Sequence, residues 1–248
     1  VGEGRIQMSS LEYVKKVLAD AERVVCLVGR GTTFQTGCQL YDGDFEYEIE
    51  SRYGLSVEEI FSESYYNNRT REFFEFYREE VLKHCGEPNA VYQTLARMEQ
   101  DGKLIGIISR SIFGLCERAG CKNVVDIHGT IFENSCPRCG RKYDYHYILD
   151  HKPIPYCENC RAVVRPQIVL TGEMVSNDKV TRATELVSRA DVLLILGSTM
   201  QSYLTKSFIK YFNGSKVLLV NWAEHYSDVK ADGVCIGNLP EILPKIYP

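Results

Sequence analysis

Four cysteines form the clearest chemical pattern in the sequence. They fall in two C-x-x-C pairs separated by seventeen residues: Cys136 and Cys139, then Cys157 and Cys160. This spacing is typical of a tetrahedral zinc site, because each short pair turns tightly enough to direct two sulfurs at one ion. Four thiolates fill the coordination shell and leave no position for water, so we predict a structural Zn²⁺. A redox pair or unligated cysteines are the alternatives.

A histidine is the second candidate for chemistry. His128 directly follows the apolar run 124–127 and precedes Gly129. A histidine at the end of a central strand is well placed to act as a general base. A lone histidine is also common as a purely structural residue, and from these residues alone both interpretations stay open.

The stretch LVGRGTTFQTG, residues 27–37, is the third pattern. Gly29 and Gly31 follow an apolar run, and glycines at a strand end let backbone N–H groups approach a pyrophosphate. The third glycine comes later than in the common dinucleotide fingerprint, so the glycines could equally serve a turn. Their position after the first predicted strand favours a nucleotide site.

Alternating elements must position these groups. Short apolar runs rich in β-branched residues occur at 23–29, 103–109, 123–127, 191–197 and 216–221, and helical periodicity occurs at 9–20, 89–102 and 177–190. Continuous apolar runs of this length are typical of central strands covered by helices on both faces. The alternation therefore predicts an α/β fold with a Rossmann-like, doubly wound parallel sheet.

Two segments interrupt this alternation. The first, about 45–84, is polar and aromatic, and we predict that Phe73, Phe74, Phe76 and Tyr77 pack a small helical lobe. The second contains both cysteine pairs. Together they predict a second, smaller domain.

Composition excludes several classes of function. The chain has 248 residues, 44% of them hydrophobic, and 29 basic residues against 33 acidic ones, for a net charge of -4. This balance argues against a general nucleic-acid binder. The apolar runs are too short to cross a bilayer and the first ten residues lack the apolar core of a secretory signal, so we expect no membrane partner. Ten cysteines without such a signal favour a reducing, cytoplasmic setting.

The order of motifs resembles the sirtuin family, the NAD-dependent protein deacylases. The glycine-rich strand end is followed by the helical insertion, ISRSIFGLCERAG, DIHG, the paired C-x-x-C motifs, VVRPQIVLTGE, LGSTMQS, VNWAE and ADGVCIG. The resemblance implies a Rossmann-like domain formed by residues 9–44, 86–130 and 166–248. It implies a small domain formed by a helical module, 45–85, and a zinc-ribbon module, 131–165. NAD or ADP-ribose and an acyl-lysine peptide are the implied ligands, meeting in the cleft between the domains.

The resemblance also implies roles for individual residues. His128 is implied to be the general base that acts on the nicotinamide ribose, and Ser111 stands at the position of a catalytic asparagine. The implied cofactor-binding positions are Gly29, Arg30, Gly31, Thr33, Arg110, Phe113, Gly197, Ser198, Asn221, Cys235 and Ile236. The acyl-lysine peptide is implied to bind as an added strand. Its partner segment consists of Val169, Leu170, Thr171, Gly172 and Glu173.

The nicotinamide half departs from the family pattern. The usual Thr-Gln-Asn-Ile-Asp is Ser109-Arg110-Ser111-Ile112-Phe113 here, the usual Gly-Ala-Gly-Ile-Ser is GRGTT, and the usual Pro-Asp-Phe-Arg is Gln39-Leu40-Tyr41-Asp42. A buried carboxamide loses about 1–3 kcal/mol for each missing hydrogen bond, so we expect weak NAD-dependent protein-lysine deacylation.

Three alternatives stay open for this half of the site. The altered loop could make the same contacts through other groups. The chain could be a non-catalytic sensor of NAD or ADP-ribose. It could also be an NAD hydrolase or an ADP-ribosyltransferase, with Arg30 or Arg110 facing an anion.

Overall fold

The structure is a computed structural model that describes residues 10–38 and 43–248. The strands of these residues are β1 Val24–Val28, β2 Leu104–Ser109, β3 Val124–Asp126, β4 Gly129–Ser135, β5 Lys142–Tyr143, β6 Arg165–Ile168, β7 Val192–Leu196, β8 Lys216–Asn221 and β9 Gly233–Ile236. The α-helices are α1 Ser10–Asp20, α2 Gly43–Tyr53, α3 Val57–Ile60, α4 Glu63–Asn68, α5 Thr70–Phe76, α6 Ala90–Gln100, α7 Leu115–Arg118, α8 Tyr145–Asp150, α9 Asn177–Arg189, α10 Tyr203–Ile209 and α11 Leu239–Ile246.

Six of the strands form a parallel sheet in the order β3-β2-β1-β7-β8-β9. Numbered by their own succession, these strands have the order 3-2-1-4-5-6 of the Rossmann fold. All five residues of β1 and of β7 are buried, as expected for central strands. The order reverses between β1 and β7, and a crevice for a ligand is expected at the carboxyl ends of the strands there.

Helices cover both faces of this sheet. Helices α1, α6 and α11 pack together on one face, and their apolar residues, such as Leu18, Leu95 and Leu243, share a core with the sheet. Helices α9 and α10 cover the other face, where Leu186 and Phe208 are buried. The predicted doubly wound α/β fold is therefore confirmed.

The sixth strand, β9, was not among the runs that predicted strands. Its residues alternate between buried and partly buried positions, because it lies at the edge of the sheet and pairs with β8 alone. A four-residue edge strand lacks the continuous apolar run that identifies a central strand.

The two interrupting segments fold as predicted elements. Helices α2 to α5 occupy the first, and Phe73, Phe74, Phe76 and Tyr77 are all buried there. The second contains α8, β5 and the four cysteines. Its flanks supply β4 and β6, which form with β5 a three-stranded antiparallel sheet in the order β5-β4-β6. The domain boundaries given above remain a prediction.

A buried arginine joins these two segments. Arg78 follows α5 and is 2% exposed. Its guanidinium donates to the carbonyls of Ile148 at 2.6 Å, His151 at 2.7 Å and Pro153 at 2.9 Å. Because a buried guanidinium needs acceptors for its donors, these carbonyls fix the helical module against the segment between the cysteine pairs.

Among the residues that the structure describes, no helix is both long enough and apolar enough to cross a membrane.

Candidate active site

Glycines bring the tips of β1 and β7 together at the reversal of strand order. The Gly29 amide donates to the Leu196 carbonyl at 2.8 Å, and the Gly31 amide donates to the Gly197 carbonyl at 2.9 Å. Gly197 has a φ of +56°, and a Cβ on it would lie 2.5 Å from the Thr32 nitrogen. Side-chain atoms do not approach backbone atoms this closely in real structures, so the two loops can pack together only if residue 197 is a glycine. The turn that was predicted to bind phosphate is thus packed closely against the loop after β7, at the carboxyl ends of the central strands.

Hydroxyl groups of Thr32, Thr33 and Tyr92 form hydrogen bonds that restrict the backbone of this glycine turn. The Thr33 hydroxyl donates to the Arg30 carbonyl and the Thr32 hydroxyl to the Gly29 carbonyl, each at 2.7 Å. Thr32 also accepts from the Tyr92 hydroxyl at 2.9 Å. These bonds fix the backbone without a ligand, and such preorganisation lowers the entropic cost of binding one.

Trp222 belongs to this turn, although the sequence patterns did not single it out. Its indole N–H donates to the Gly31 carbonyl at 2.6 Å, and its ring lies 5.6 Å from that of Phe34. The Asn221 side-chain oxygen accepts from the Trp222 backbone N–H at 3.0 Å. The signal that could have identified it is its position, since the only tryptophan of the chain directly follows a strand end.

Other residues that were predicted to bind the nucleotide lie at the carboxyl ends of the neighbouring parallel strands. Ser198 follows β7 and donates its hydroxyl to Ser202 at 2.7 Å. Asn221 ends β8 and is in register with Ile236 at the end of β9. Cys235 is buried beside them, and burial raises the pKa of its thiol. The fold therefore brings together residues that are far apart in the chain.

His128 lies between β3 and β4, and β3 is an edge strand of the large sheet, so the prediction that His128 ends a central strand is wrong. Its carbonyl accepts from the Val169 N–H at 2.8 Å, which ties it to the predicted peptide-binding segment. Gly129 has a φ of +78°, and a Cβ there would overlap the Gln167 carbonyl. The glycine after the histidine is therefore required where β4 starts against β6.

A cavity of about 260 Å³ opens beside His128. The large sheet contributes Arg30, Arg110 and Ile112 to its lining, and the helical module contributes Glu46, Glu58 and Phe61. Val169 and Thr171 of the predicted peptide-binding segment also line it. This volume is smaller than the ~300–1,000 Å³ of typical ligand pockets, so it suits a group the size of a modified side chain. Arg110 and His128 also line a second cavity of about 210 Å³, next to α10.

Three cations surround His128. The Arg110 Nε–H donates to His128 Nε2 at 3.4 Å. Burial lowers the pKa of His128 most, and Arg110, Arg30 and Lys179 lower it further, to about 4. The imidazole is therefore neutral at physiological pH, with Nε2 as the acceptor and the proton on Nδ1.

A carboxyl pair lies close to His128 in the chain. Burial, and then the neighbouring Glu117 carboxylate, raise the pKa of Asp126 well above its usual range. Lys179 donates to the Asp126 backbone carbonyl at 2.7 Å. The pair of Asp126 and Glu117 therefore binds a proton more readily than an isolated carboxyl group does.

Two departures from the family pattern in the stretch from Ser109 to Phe113, Ser111 and Phe113, are buried in the protein interior. The Ser111 N–H donates to the Ser109 hydroxyl oxygen at 3.1 Å, and the Ser111 hydroxyl accepts from the Phe113 N–H at 3.2 Å. Phe113 is fully buried and lies outside the lining of the cavity at His128. Arg110 and Ile112 face that cavity instead. The predicted nicotinamide side thus presents an arginine and an isoleucine.

The predicted peptide-binding segment follows β6. Thr171 donates its N–H to the Phe61 carbonyl at 2.8 Å and accepts from the Glu63 N–H at 2.9 Å. The Glu173 carboxylate accepts from the Leu170 N–H at 2.8 Å. It also accepts from Arg165 at 2.6 Å. These bonds place Leu170 and Thr171, with Val169, Gly172 and Glu173, between His128 and the helical module.

The four cysteine sulfurs form one cluster. All lie within 4.8 Å of one another, with Cys136 and Cys160 3.3 Å apart and Cys139 and Cys157 3.6 Å apart. Zinc–sulfur bonds of about 2.3 Å in a tetrahedron place sulfurs about 3.8 Å apart, so the cluster is compatible with structural zinc. A hydrogen bond from Tyr143 lowers the pKa of Cys157 to about 6, which favours the thiolate that a metal requires.

His146 and His151 lie between the cysteine pairs in the sequence, and both are exposed and stand outside the sulfur cluster. The altered loop Gln39, Leu40, Tyr41 and Asp42 lies outside the described residues.

Comparison with known proteins gives a consistent result. The model of the Sir2 family matches residues 41–203. The NAD-dependent protein deacetylase of Clostridium acetobutylicum is 30% identical over 241 residues, covering 96% of this chain and 98% of that protein. The enzyme of the same name from Clostridium tetani is 31% identical over 238 residues, covering 95% of this chain and 96% of its own.

Solved structures show the same relationship. A structure of Sir2 bound to acetylated peptide has a TM-score of 0.80 and 26% identity, covering 96% of this chain and 97% of that one. Sir2 in complex with the inhibitor EX-527, 2'-O-acetyl-ADP-ribose and deacetylated p53 peptide has a TM-score of 0.78 and 25% identity, covering 95% and 96%. Because the family model matches most of the chain and the bacterial deacetylases align over nearly all of it, the chain belongs to the Sir2 family.

Proposed function

We propose that the protein is an NAD-dependent protein-lysine deacylase with His128 as its general base. The observation that carries this proposal is the place of His128. Its carbonyl is bonded to Val169 of the segment 169–173, and its ring lines a cavity that this segment also lines. A base in that position can reach a group that a peptide beside the segment inserts into the cavity.

The chain's own residues have separate tasks in this reaction. Bound NAD would supply the ribose carbon to which the acyl oxygen is transferred with loss of nicotinamide. The neutral His128 side chain offers Nε2 as the group that would accept a proton from a ribose hydroxyl. The turn containing Gly29 and Gly31 lies at the reversal of strand order in the sheet, which supports it as the phosphate site. Because both glycine amides already donate to the carbonyls of Leu196 and Gly197, other groups of the turn would contact the phosphates.

The substrate side is an acyl-lysine peptide bound as an added strand. The segment 169–173 supports this role, because the Thr171 N–H donates to the Phe61 carbonyl and the Glu63 N–H donates to the Thr171 carbonyl, which holds the segment beside the cavity. Only its first part is extended, since Leu170 to Glu173 form a turn. A reducing, cytoplasmic setting is part of the same proposal, supported by ten cysteines that are all outside disulfides, four of them in the sulfur cluster.

A second function is favoured by one observation at the same site. Arg110 donates to the nitrogen of His128 that would accept the proton, and Ser111 and Phe113 contact the protein interior instead of the cavity. A protein that binds ADP-ribose or NAD without turnover would have these features. The buried glycine turn would then be the functional part of the site.

Nicotinamide release separates these functions. A deacylase releases nicotinamide only with an acyl-lysine peptide, a hydrolase or ADP-ribosyltransferase releases it without one, and a sensor releases none. We expect slow release that depends on the acyl peptide and is abolished in His128→Ala. Release without peptide, or no release although calorimetry shows that ADP-ribose binds, would contradict the deacylase proposal.

A further inference from the structure

The hydroxyl of Tyr143 has two partners in the second cysteine pair. It lies 3.2 Å from Cys157 Sγ, and it accepts a hydrogen bond from the Glu158 backbone N–H at 3.0 Å. An amide N–H can only donate, so the hydroxyl oxygen is the acceptor for Glu158 and its proton points at the sulfur. The tyrosine therefore donates to Cys157 and is bonded to the residue that follows it.

The backbone of Tyr143 is fixed to the first cysteine pair. Tyr143 on β5 is in register with Asn134 on β4, and Cys136 directly follows that strand. The Cys136 N–H also donates to the Arg141 carbonyl at 2.9 Å. Tyr143 thus links the two cysteine pairs, through its backbone to the first and through its hydroxyl to the second.

Packing restricts the ring of Tyr143. Its centroid lies 4.2 Å from that of the Tyr147 ring, and the guanidinium carbon of Arg141 lies 5.5 Å from it. The same guanidinium forms an ion pair with the Glu158 carboxylate at 2.6 Å. A ring with these contacts loses little freedom when its hydroxyl donates, so the bond to Cys157 is preorganised.

A hydrogen bond to a metal ligand contributes to metal binding. Four thiolates around one Zn²⁺ carry an excess of negative charge, which an O–H donor stabilises. Such partners also orient the ligand, and removing one typically costs about 10–100-fold in metal affinity.

We propose that Tyr143 is a positioning residue for zinc, whose hydroxyl donates to the Cys157 thiolate and holds the second cysteine pair against the first. This role is independent of the deacylase proposal, because it concerns the metal alone and is measured without NAD or peptide. Loss of the hydroxyl should weaken zinc binding although all four cysteines remain.

The test compares two neighbouring tyrosines. Tyr143→Phe keeps the ring, and we expect its zinc affinity, measured by competition with a chromogenic chelator, to be about tenfold or more below that of the wild type. Tyr147→Phe is the matched control, because the hydroxyl that it removes donates to the Tyr156 carbonyl at 2.6 Å and not to a sulfur. Its zinc affinity should stay within about threefold of the wild-type value. Equal zinc affinities in Tyr143→Phe and the wild type would overturn the proposal.

Cobalt in place of zinc separates a bond to sulfur from a purely structural effect. Transfer of charge from thiolate sulfur to Co²⁺ gives an absorption band, and a hydrogen bond to the sulfur raises its energy by stabilising the sulfur lone pairs. We expect this band at lower energy in Co²⁺-loaded Tyr143→Phe and unchanged in Tyr147→Phe. A weaker metal affinity of Tyr143→Phe with an unmoved band would contradict the proposal, since the tyrosine would then act through packing alone.

The wild type allows a test that needs no substitution, should Tyr143→Phe not fold. With cadmium bound, the Tyr143 hydroxyl proton should exchange slowly with water and show a scalar coupling to the metal through Cys157 in NMR spectra. A Tyr143 hydroxyl proton that exchanges as fast as that of the exposed Tyr226 would rule out the bond to sulfur and the role with it.

Discussion

The two ends of the site are built in different ways. At the nucleotide end, the Gly29 amide donates to the Leu196 carbonyl and the Gly31 amide to the Gly197 carbonyl, which joins the tips of β1 and β7. At the other end, the side chains of Arg110 and His128 are hydrogen-bonded to each other and line the same cavity. The first arrangement depends on the fold itself, whereas the second depends on a few side chains. Substrate choice can therefore change at the His128 end while nucleotide binding is retained.

Gly197→Ala should disrupt the packing at the nucleotide end and have the largest effect on stability and nucleotide affinity of all the substitutions. A Cβ would meet Thr32 and Gly31, and the φ of +56° is strained for alanine. We expect a loss of several kcal/mol of unfolding free energy, typical of overpacking combined with backbone strain, and a fall of about a hundredfold or more in affinity for ADP-ribose. Thermal unfolding and calorimetry measure both.

Gly54→Ala is the matched control. Gly54 has a similar φ of +69°, but nothing lies within 4 Å of its Cβ position. It should cost only about 1 kcal/mol, from the backbone strain alone. Equal losses in the two variants would show that close packing at Gly197 does not matter.

Removal of zinc should slow the reaction at the His128 end and leave the nucleotide affinity nearly unchanged. The cysteine segment is fixed through Arg78 to the helical module, and that module contributes Val57 and Phe61 to the cavity. We expect about one zinc per chain, and in Cys136→Ser a loss of zinc and at least about tenfold slower nicotinamide release. ADP-ribose affinity should change less than about threefold. A parallel loss at both ends would mean that the ends are not separable.

Low pH should reduce the free energy of unfolding, because His128 is harder to protonate in the folded protein than in the unfolded chain. The folded-state pKa of His128, about 4, lies below its usual value near 6.5, so the unfolded chain binds the proton more readily. The contribution of neutral His128 is present above pH 6.5 and is lost as the pH falls through that window toward 4. We expect the wild type to lose about 2 kcal/mol more than His128→Gln between pH 7 and pH 4.5. Comparing the two proteins cancels the titration of Asp126, and identical pH dependence would contradict the account.

Trp222→Phe should weaken the nucleotide end by the smallest amount. It removes one hydrogen bond to the Gly31 carbonyl, which corresponds to about 1 kcal/mol and about a fivefold loss of ADP-ribose affinity. Because Trp222 is the only tryptophan of the chain, ADP-ribose should change the fluorescence of the wild type. Unchanged fluorescence at saturating ADP-ribose would place the nucleotide elsewhere.

Sequence patterns predicted the parts of the molecule that depend on local composition. Continuous apolar runs identified five strands of the sheet, and the cysteine spacing identified the sulfur cluster. The edge strand β9 escaped because it lacks such a run. Trp222 escaped because its partner, Gly31, is 191 residues away, and only the fold brings them together.

The same limit applies at the His128 end. The sequence indicated that Ser111 and Phe113 differ from the family pattern, but not that Phe113 is buried and that Arg110 contacts His128. Side-chain direction at the end of a strand depends on the packing of neighbouring elements. The assignments of individual site residues therefore stay predictions.

The most direct test of the account is the nicotinamide released by the wild type and by His128→Ala, measured with and without an acyl-lysine peptide, beside the ADP-ribose affinity of both proteins. The account predicts peptide-dependent release that His128→Ala abolishes, with ADP-ribose affinities that agree within about threefold. Release that persists in His128→Ala, or an ADP-ribose affinity that falls with it, would contradict the division of the site into two separable ends.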